Sequence, residues 1–592
     1  MIERKDVAPE RRWRTEDLFA SQEDWARSYK EVESKLDFSE FEGKLGDPEM
    51  LLACLKKSND LSVELNRLGI YAFLKHDEDT RDAKYTALMS RMDALEMKLS
   101  GNTAFMLPEL TALPEKKLKA FIGDERFKDY DYTLKGILRQ KPHVLSKETE
   151  AVLSQGARVF DSPRQIFTMI DNADFPFPTV KADGKPQKLS HGTYGLMLRL
   201  PDRRVRRKAF EAYYDAYIGL IHTISATYIA SVDKDVFLTR ARKYDSCLSR
   251  ALESEDVDPK VYRNLLDAVH GGLPLLHRYY TVRKKMLGLK TMHMYDAYVS
   301  PVKDAEIKVD YEEAFRIVKK GLAPLGERYG ELLQEAHDNG WIDVEETVGK
   351  RSGAYSISAC GCPHPYVLLN YQPCTSDVFT IAHELGHAMH SYHSQKAQPV
   401  EKADYRIFVA EVASTVNEVL LLKHLLNTAT DKSLRQYLLS YYLDMLKGTL
   451  FRQTQFAEFE FLAHEKAERG EPLTSDNLCE IYLDLNRRYY GKAVVSDPRI
   501  AYEWARIPHF YRSFYVYKYA TGITSAVSIA ERIFSGEEGA LEDYFRFLSS
   551  GGSDSPVELL KLAGVDLTRR DAFDRCMKSF EDALRQFEEL NA

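Results

Sequence analysis

Long apolar runs are missing from this sequence of 592 residues. No stretch of 18 consecutive apolar residues occurs, so we predict that no helix spans a membrane and expect no membrane partner. The first residues, MIERKDVAPERRW, are charged and contain no apolar stretch, so we expect no secretory signal. Low-complexity tracts and repeats of fixed period are also missing. These absences favour a globular chain that folds without a membrane.

Cysteine is scarce, and its spacing does not suggest a disulfide framework. The chain has seven cysteines and no C-x-x-C pair. The odd number and the wide spacing are typical of reduced thiols, so we predict a cytoplasmic protein. Cys360, Cys362 and Cys374 lie close together in sequence. Because C-x-C is not the usual zinc spacing, a second metal site at these thiols is only an alternative, and their role stays open.

An excess of positive charge is missing as well. The formal net charge is −8, which argues against nucleic acid as a partner. The basic run RRVRRK, at Arg203–Lys208, is more typical of a solvated helix face or of salt-bridge partners than of a nucleic-acid site. Hydrophobic residues make up 44% of the chain, which is enough for a large buried core.

Helical patterns dominate the rest of the chain. Amphipathic stretches predict helices at Leu61–Leu74 and Asp82–Leu99, and long helical segments follow in the C-terminal half. The proline-rich segment Pro176–Gly195 is typical of a loop or a hairpin. Residues Tyr355–Tyr371 form the clearest strand-like segment. We therefore predict a mainly α fold with one small β-sheet.

The segment Phe379–Ser394, FTIAHELGHAMHSYHS, contains an H-E-x-x-H pattern. On a helix, His383 and His387 would lie one turn apart on the same face, as two imidazoles must in order to share one small metal ion. Glu384 could then reach a water on that metal, which is the arrangement of a zinc hydrolase. Three polar residues precede this segment, and any of them could cap the helix: Thr375, Ser376 and Asp377.

A catalytic zinc usually takes a third protein ligand, and we predict that this ligand is Glu411. The segment Asp404–Leu422 is typical of a helix with Asp404 as its N-cap, and Glu411 falls within its apolar stripe. An acidic residue there is costly unless it is paired, either with a metal or with a neighbour such as Arg406. Glu418, about two turns further on, could orient a metal ligand or simply lie on the helix surface.

His393 is the competing third ligand. It lies six residues after His387, which is the metzincin spacing. That family needs a glycine three residues after the second histidine to turn the chain back, and here the position holds His390. Because nothing between His387 and His393 breaks a helix, we expect His393 to be carried away from the metal.

A tyrosine-rich segment follows near the C-terminus, with His509 inside it. A tyrosine hydroxyl stays a neutral donor at pH 7, so it can stabilise the oxyanion that develops during hydrolysis. Aromatic residues at this density could equally be core packing. The tyrosines within eighteen residues are Tyr502, Tyr511, Tyr515, Tyr517 and Tyr519.

Together, HELGH and the later FVAEVASTVNE resemble the thimet-oligopeptidase superfamily of zinc peptidases, and within it oligoendopeptidase F. The resemblance runs over nearly the whole chain. The CGCPH stretch at residues 360–364 departs from it, since a more hydroxyl- and Asn-rich sequence is expected there. The other matching blocks are RRWRTEDLF at Arg11–Phe19, QIFTMIDN at Gln165–Asn172, GKRSGAYS at Gly349–Ser356 and HFYRSFYVYKYATG at His509–Gly522.

The resemblance implies a two-lobed helical metallopeptidase with a deep substrate channel and a small sheet near the zinc helix. It implies one zinc ion per chain, with Glu384 as general base and His509, Tyr517 and Tyr511 as further catalytic groups. It also implies short unfolded peptides as substrates, cleaved at internal bonds. The expected division is an N-terminal helical region at 1–112, an oligoendopeptidase-type subdomain at 113–196 and the catalytic domain at 197–592.

Three alternatives stay open. An aminopeptidase would use the same pattern with a nearer carboxylate ligand, but Arg406 stands where that carboxylate is expected. A peptidyl carboxydipeptidase of the same superfamily fits the same motifs. A helical peptide-binding scaffold would hold no zinc. The sequence does not indicate the oligomeric state.

Overall fold

The computed structural model describes residues 2–182, 184–302 and 307–591. The chain is mainly α-helical, as predicted, and it divides into two compact units that are each built from three separate segments. Unit 1 comprises Met1–Val144, Glu306–Leu425 and Ile529–Val565, and unit 2 comprises the remainder. The three-part division by sequence position stays a prediction, because the units follow spatial contacts.

The described part of unit 1 contains thirteen α-helices, and one of them carries the H-E-x-x-H segment. They are Gln22–Ser34, Pro48–Glu78, Ala83–Thr103, Met106–Ala112, Glu115–Ile122, Asp131–Gln140, Tyr311–Gly321, Glu327–Asp338, Thr375–Ala397, Val400–Ala403, Ile407–Thr428, Ala540–Leu548 and Pro556–Leu562. The predicted helices at Leu61–Leu74 and Asp82–Leu99 lie within the second and third of these.

Unit 2 is also helical. Its α-helices are Lys147–Gln155, Ala157–Met169, His191–Met197, Arg203–Gly219, Ile221–Ala241, Cys247–Glu253, Pro259–Met286, Lys432–Leu446, Arg452–Glu468, Ser475–Tyr490, Asp571–Asn591 and the part of Tyr517–Phe534 up to Ser528. Within Arg203–Gly219 the basic run forms ion pairs: Arg203 and Arg206 both contact the buried carboxylate of Asp296. The structure therefore favours the salt-bridge interpretation of RRVRRK.

The described residues contain two small sheets. A hairpin of β1 (Thr179–Ala182) and β2 (Lys185–Lys188) occupies the proline-rich segment of unit 2. In unit 1, β3 (Ile342–Asp343) pairs in parallel with β5 (Tyr366–Leu368), and β4 (Tyr355–Ile357) pairs antiparallel to the other side of β5. Within the described residues β4 is therefore an edge strand. The strand prediction for Tyr355–Tyr371 is confirmed.

The sheet of unit 1 is anchored in the aromatic core of the N-terminal helices. Tyr366 and Leu368 of β5 are buried in one apolar cluster with these helices. Trp25 is completely buried in the same cluster, and its indole N–H donates to Leu68 O at 3.0 Å. This packing fixes the sheet, and the helix Thr375–Ala397 then leaves the end of β5 after a six-residue connection.

Two helices of unit 1 carry the predicted metal ligands, and their bounds correct the capping predictions. The helix Thr375–Ala397 begins after Cys374, whose side chain makes no capping hydrogen bond, so none of the three proposed caps is the N-cap. The second helix spans Ile407–Thr428. Asp404 is instead the C-cap of the short helix Val400–Ala403, because the chain turns there before the second helix begins.

Candidate metal centre

Three side chains of unit 1 converge on one point, and we call them the metal centre: His383, His387 and Glu411. The Nε2 atoms of the two histidines lie 3.2 Å apart. Glu411 Oε2 lies 3.3 Å from His383 Nε2 and 3.4 Å from His387 Nε2. Within the part of the chain that the structure describes, no other group of three or more potential ligands lies this close.

The donor set fits zinc. Zinc takes imidazole nitrogen and carboxylate oxygen at about 2.0–2.1 Å in tetrahedral sites, which places the ligand atoms about 3.3–3.5 Å from one another. The three observed separations of 3.2–3.4 Å match those edges. The residues therefore suit one small divalent ion.

Glu418 fixes the orientation of His383. Its Oε1 lies 2.5 Å from His383 Nδ1, so the carboxylate accepts a hydrogen bond from the Nδ1–H group and leaves the Nε2 lone pair for a metal. Hydrogen bonds with His383 and His387 hold the pKa of Glu411 well below its usual range, so this carboxylate is ionised. The side chain of Glu411 is 49% exposed, which leaves the metal centre open on one side.

Glu384 lies beside the metal centre on the same helix, and only 7% of it is exposed. Burial raises the pKa of this carboxyl group, while the neighbouring histidines oppose the shift. A buried carboxylate with a raised pKa holds a proton more readily than an ordinary one, and this suits a general base.

The two metal-binding helices pack unusually closely. A Cβ on Gly386 would lie 2.5 Å from Ser414 Cα and 2.7 Å from Ala413 O, so only glycine permits this approach. The side chain of Asn417, which is completely buried, donates from Nδ2 to Ala382 O at 2.9 Å. Asn417 Oδ1 accepts a hydrogen bond from Tyr329 at 3.1 Å. The motif spacing does not predict these contacts, although an asparagine inside an apolar helix face is a signal of one.

His393 does not join the metal centre, as predicted. Its ring centroid lies 5.2 Å from that of Phe545, and burial lowers its pKa to about 4. His390, one turn before it, stacks on Tyr405 with a centroid distance of 3.7 Å. Both histidines are packing residues, because the helix continues unbroken and carries them past the ligands.

The tyrosine-rich segment belongs to unit 2. His509 is exposed there, and the rings of Tyr515 and Tyr519 each lie 6.1 Å from its ring. Tyr511 is buried, lies 2.6 Å from the hydroxyl of Thr227 and stacks on Phe167. The resemblance extends a catalytic role to Tyr515 as well, which lies beside His509, whereas it implies no role for Tyr519.

Tyr517 is the first residue of its helix and is completely buried. Its ring lies 5.1 Å from that of Tyr262, and burial raises its pKa well above the usual value. The turn before it includes Phe514, which has a φ of 57° and donates its N–H to the buried carboxyl of Glu460 at 3.0 Å. The catalytic roles of His509, Tyr511 and Tyr517 stay predictions.

The cysteines near the metal centre do not form a metal site within the described residues. Burial raises the pKa of Cys360 and that of Cys362 to about 11, so both thiols keep their protons near neutral pH. Cys374 is the N-cap of the helix that carries His383. All seven cysteines are free thiols.

No helix in the described ranges is long and apolar enough to cross a membrane. Two family models match the chain: Peptidase family M3 at residues 196–579 and Oligopeptidase F at residues 109–177. Oligopeptidase PepF of Bacillus subtilis is 42% identical over 99% of this chain and 88% of its own length. An Oligoendopeptidase F homolog of Lactococcus lactis is 37% identical over 99% of this chain and 98% of its own length.

Solved structures agree with these relatives. The crystal structure of oligoendopeptidase-F from Enterococcus faecium is 34% identical, with a TM-score of 0.73 over 96% of this chain and 99% of that one. A crystal structure from Chlamydophila abortus is 33% identical, with a TM-score of 0.95 and complete coverage of both chains. The family match covers more than half of the chain, and the relatives match along nearly all of it. The chain therefore belongs to peptidase family M3 and, within it, to the oligoendopeptidase F metallopeptidases.

Proposed function

We propose that this protein is a zinc-dependent oligoendopeptidase that hydrolyses internal bonds of short unfolded peptides, with Glu384 as general base. The observation that carries the proposal is the triangle of ligand atoms from His383, His387 and Glu411, with edges of 3.2–3.4 Å. Family membership supplies the reaction class, and this triangle supplies a site for one zinc ion per chain.

In this proposal His383, His387 and Glu411 hold the ion, and Glu418 orients His383. A bound zinc ion lowers the pKa of water and polarises a carbonyl group. Glu384 accepts the proton of the water that attacks the scissile carbonyl carbon. It then donates this proton to the leaving amine as the carbon–nitrogen bond breaks. The products are a carboxylic acid and an amine, and Glu384 returns to its ionised form.

His509, Tyr517 and Tyr511 are proposed as further catalytic groups on the strength of the resemblance. A hydroxyl or imidazole N–H that points at the oxyanion stabilises charge that the substrate carbonyl lacks. Burial raises the pKa of both tyrosines, so both hydroxyls keep their protons near neutral pH, and the hydroxyl of Tyr511 already contacts that of Thr227. Separate Tyr517→Phe and His509→Ala variants test these roles. Each should lower kcat without loss of zinc, and unchanged kcat would contradict the role concerned.

The edge strand β4 supports peptides as substrates. A peptide can add itself to a free strand edge through backbone hydrogen bonds, which accept any sequence, while pockets select side chains. Only an extended segment can bind in this way, so a short peptide should be cleaved while the same sequence inside a stable domain should not. Equal rates for the two would contradict the preference for unfolded peptides.

One experiment tests the proposed function as a whole. A library of peptides, each prepared once with free ends and once with blocked ends, is incubated with the zinc-loaded protein, with and without a chelator, and the products are identified by mass spectrometry. We expect cleavage at internal bonds, and we expect the chelator to abolish it. Products that are always C-terminal dipeptides would show a carboxydipeptidase, and cleavage that survives removal of the metal would contradict zinc dependence.

The remaining proposals concern the protein's surroundings. Seven free thiols suit a reducing compartment, so we propose that the protein works in the cytoplasm. Short peptides are the proposed partners, and the net charge of −8 supports the expectation of no nucleic-acid partner.

A further inference from the structure

A pocket of about 250 Å³ lies in unit 1, where the chain leaves β4. One wall is the loop that contains Cys360, and a second wall is the helix Thr375–Ala397, through Tyr392 and Lys396. Val63 of the helix Pro48–Glu78 lines it from a third side. The proposed function does not use this pocket, although it shares a helix with His383 and His387.

The walls of the pocket are held in place. Gly361 has a φ of 99°, and a Cβ there would lie 2.7 Å from Val63 O, so the loop packs tightly on its neighbouring helix. The side chain of Asn66 donates to Cys360 O at 3.5 Å. On the other side, Ser358 donates to Gln395 at 2.8 Å and ties the end of β4 to the metal-binding helix. A pocket with such fixed walls is formed before a ligand arrives.

The pocket has a defined position along a bound peptide. Tyr355 at the start of β4 pairs with Leu368, and from Leu368 the chain leads to the start of the helix Thr375–Ala397. Just after β4, Ser358 donates to Gln395 near the end of the same helix. β4 therefore runs beside the helix in the same direction. Tyr392 and Gln395 follow His387 by five and eight residues, which is about 8–12 Å along a helix. This distance corresponds to about two to four residues of an extended peptide.

The lining chemistry selects an apolar side chain. Valine, proline and uncharged thiol groups make up half of the twelve lining residues, the polar ones are His364, Tyr392, Gln395, Lys396 and Gln398, and no carboxylate is among them. Lys396 is exposed at the rim, with its Nζ 5.1 Å from the centre of the Tyr392 ring. A lysine or arginine side chain would meet this ammonium group without a carboxylate to balance it.

We propose that this pocket is a specificity subsite for one large apolar side chain of the substrate, two to four residues on the N-terminal side of the scissile bond. The inference rests on the proposed function and deepens it. Antiparallel strand pairs outnumber parallel ones, and a peptide antiparallel to β4 places its N-terminal residues over the pocket. The subsite would favour leucine, methionine or phenylalanine and disfavour lysine and arginine.

The test is a set of peptides of fixed length and one cleavage site, with Leu, Ala or Lys at each of these three positions in turn, and a second set that is varied in the same way at the matching positions on the C-terminal side of the bond. Wild-type protein should cleave the Leu peptide with a kcat/KM about tenfold above that of the Ala peptide at one position, and the Lys peptide should be poorest there. Cys360→Trp fills the pocket and should remove the preference for Leu while leaving the Ala peptide unchanged. Cys360→Ser keeps the pocket open and should behave as wild type.

Lys396→Glu provides a second variant on an exposed residue, where folding is not at risk. It should raise kcat/KM for the Lys peptide at that one position by about tenfold. Lys116→Glu makes the same charge change on an exposed residue of the helix Glu115–Ile122 and should have no effect.

The outcomes separate the two proposals. If no peptide is hydrolysed by the zinc-loaded wild type, the proposed function is wrong. If peptides are hydrolysed but Cys360→Trp and Lys396→Glu leave every preference unchanged, or change all positions alike, the subsite is wrong and the oligoendopeptidase proposal stands. A changed preference on the C-terminal side of the bond would overturn the antiparallel placement.

Discussion

At the scale of single residues, the proposed chemistry depends on two glutamates with different tasks. Glu384 is buried beside the metal centre and is not one of its three ligands. Glu418 contacts His383 from the side opposite to the ligand nitrogen. Replacing Glu384 should therefore impair proton transfer without changing metal affinity. Replacing Glu418 should lower metal affinity first.

The variant Glu384→Gln removes the proton acceptor and preserves the size of the side chain. We expect kcat to fall by about 10³-fold or more, because general-base catalysis contributes about 10²–10⁴ and no other carboxylate occupies this position. Zinc content, measured by elemental analysis, should stay at one ion per chain. Substantial turnover by this variant would refute the assignment of the base.

The variant Glu418→Ala removes the acceptor for His383 Nδ1. Zinc affinity should fall by about 10–100-fold, because the imidazole loses the partner that sets its tautomer and its orientation. Competition with a chelator of known affinity measures this change. Once saturated with zinc, the variant should recover much of its kcat, whereas Glu384→Gln should not. Unchanged zinc affinity would show that Glu418 does not orient His383 for the metal.

At the scale of elements, the metal centre depends on how closely two helices approach. His383 and His387 could be predicted from the sequence, because their spacing along one helix places them on one face. Glu411 could be proposed, because an acidic residue among apolar neighbours needs a partner.

Gly386 and Asn417 could not be assigned from the sequence, because each acts through a contact with the facing helix. Gly386 contacts Ser414, and Asn417 donates to Ala382 O. The true N-cap, Cys374, makes no side-chain hydrogen bond and so carries no capping signal.

The variant Gly386→Ala tests the close approach directly. The added methyl group would overlap Ser414 Cα and Ala413 O, which are backbone atoms that cannot turn aside. We expect a loss of about 1–3 kcal/mol in the free energy of unfolding, together with weaker zinc binding, because the helices must separate. Chemical denaturation and chelator competition measure the two effects.

Gly136→Ala is the matched control for this variant. Gly136 lies inside the helix Asp131–Gln140 of the same unit, and a Cβ there would meet no atom within 4 Å. Alanine should therefore stabilise the protein by about 0.5–1 kcal/mol, since it favours the helix and meets no obstacle. If both variants behaved alike, the close approach at Gly386 would not be needed.

At the scale of the whole molecule, the free energy of unfolding should vary with pH because two histidines are buried without charge. His390 is 1% exposed, and its neighbours are Tyr405 and Phe547, neither of which carries a charge near neutral pH. Burial lowers the pKa of His390 to about 3 and that of His393 to about 4. In the unfolded chain both histidines bind protons near pH 6.5. Between that pH and the folded pKa values, the unfolded chain therefore holds more protons than the folded chain.

Acid should therefore unfold the protein through these two residues. Because the folded pKa values lie below the unfolded ones, the stability that the neutral rings contribute is complete above about pH 6.5 and declines as the pH falls toward 4 and 3. The free energy of unfolding is measured against pH in excess chelator, so that metal binding does not contribute. Its slope should approach about 1.4 kcal/mol per pH unit for each of the two residues.

The variant His390→Phe tests the contribution of one residue. It keeps the ring stacking on Tyr405 and loses one titrating group, so the slope should be smaller by that amount. The same variant removes a buried nitrogen, Nδ1, that has no hydrogen-bond partner among the described residues, so its stability at pH 8 should equal or exceed that of the wild type. An unchanged slope would show that His390 becomes protonated without unfolding the helix that holds the metal centre.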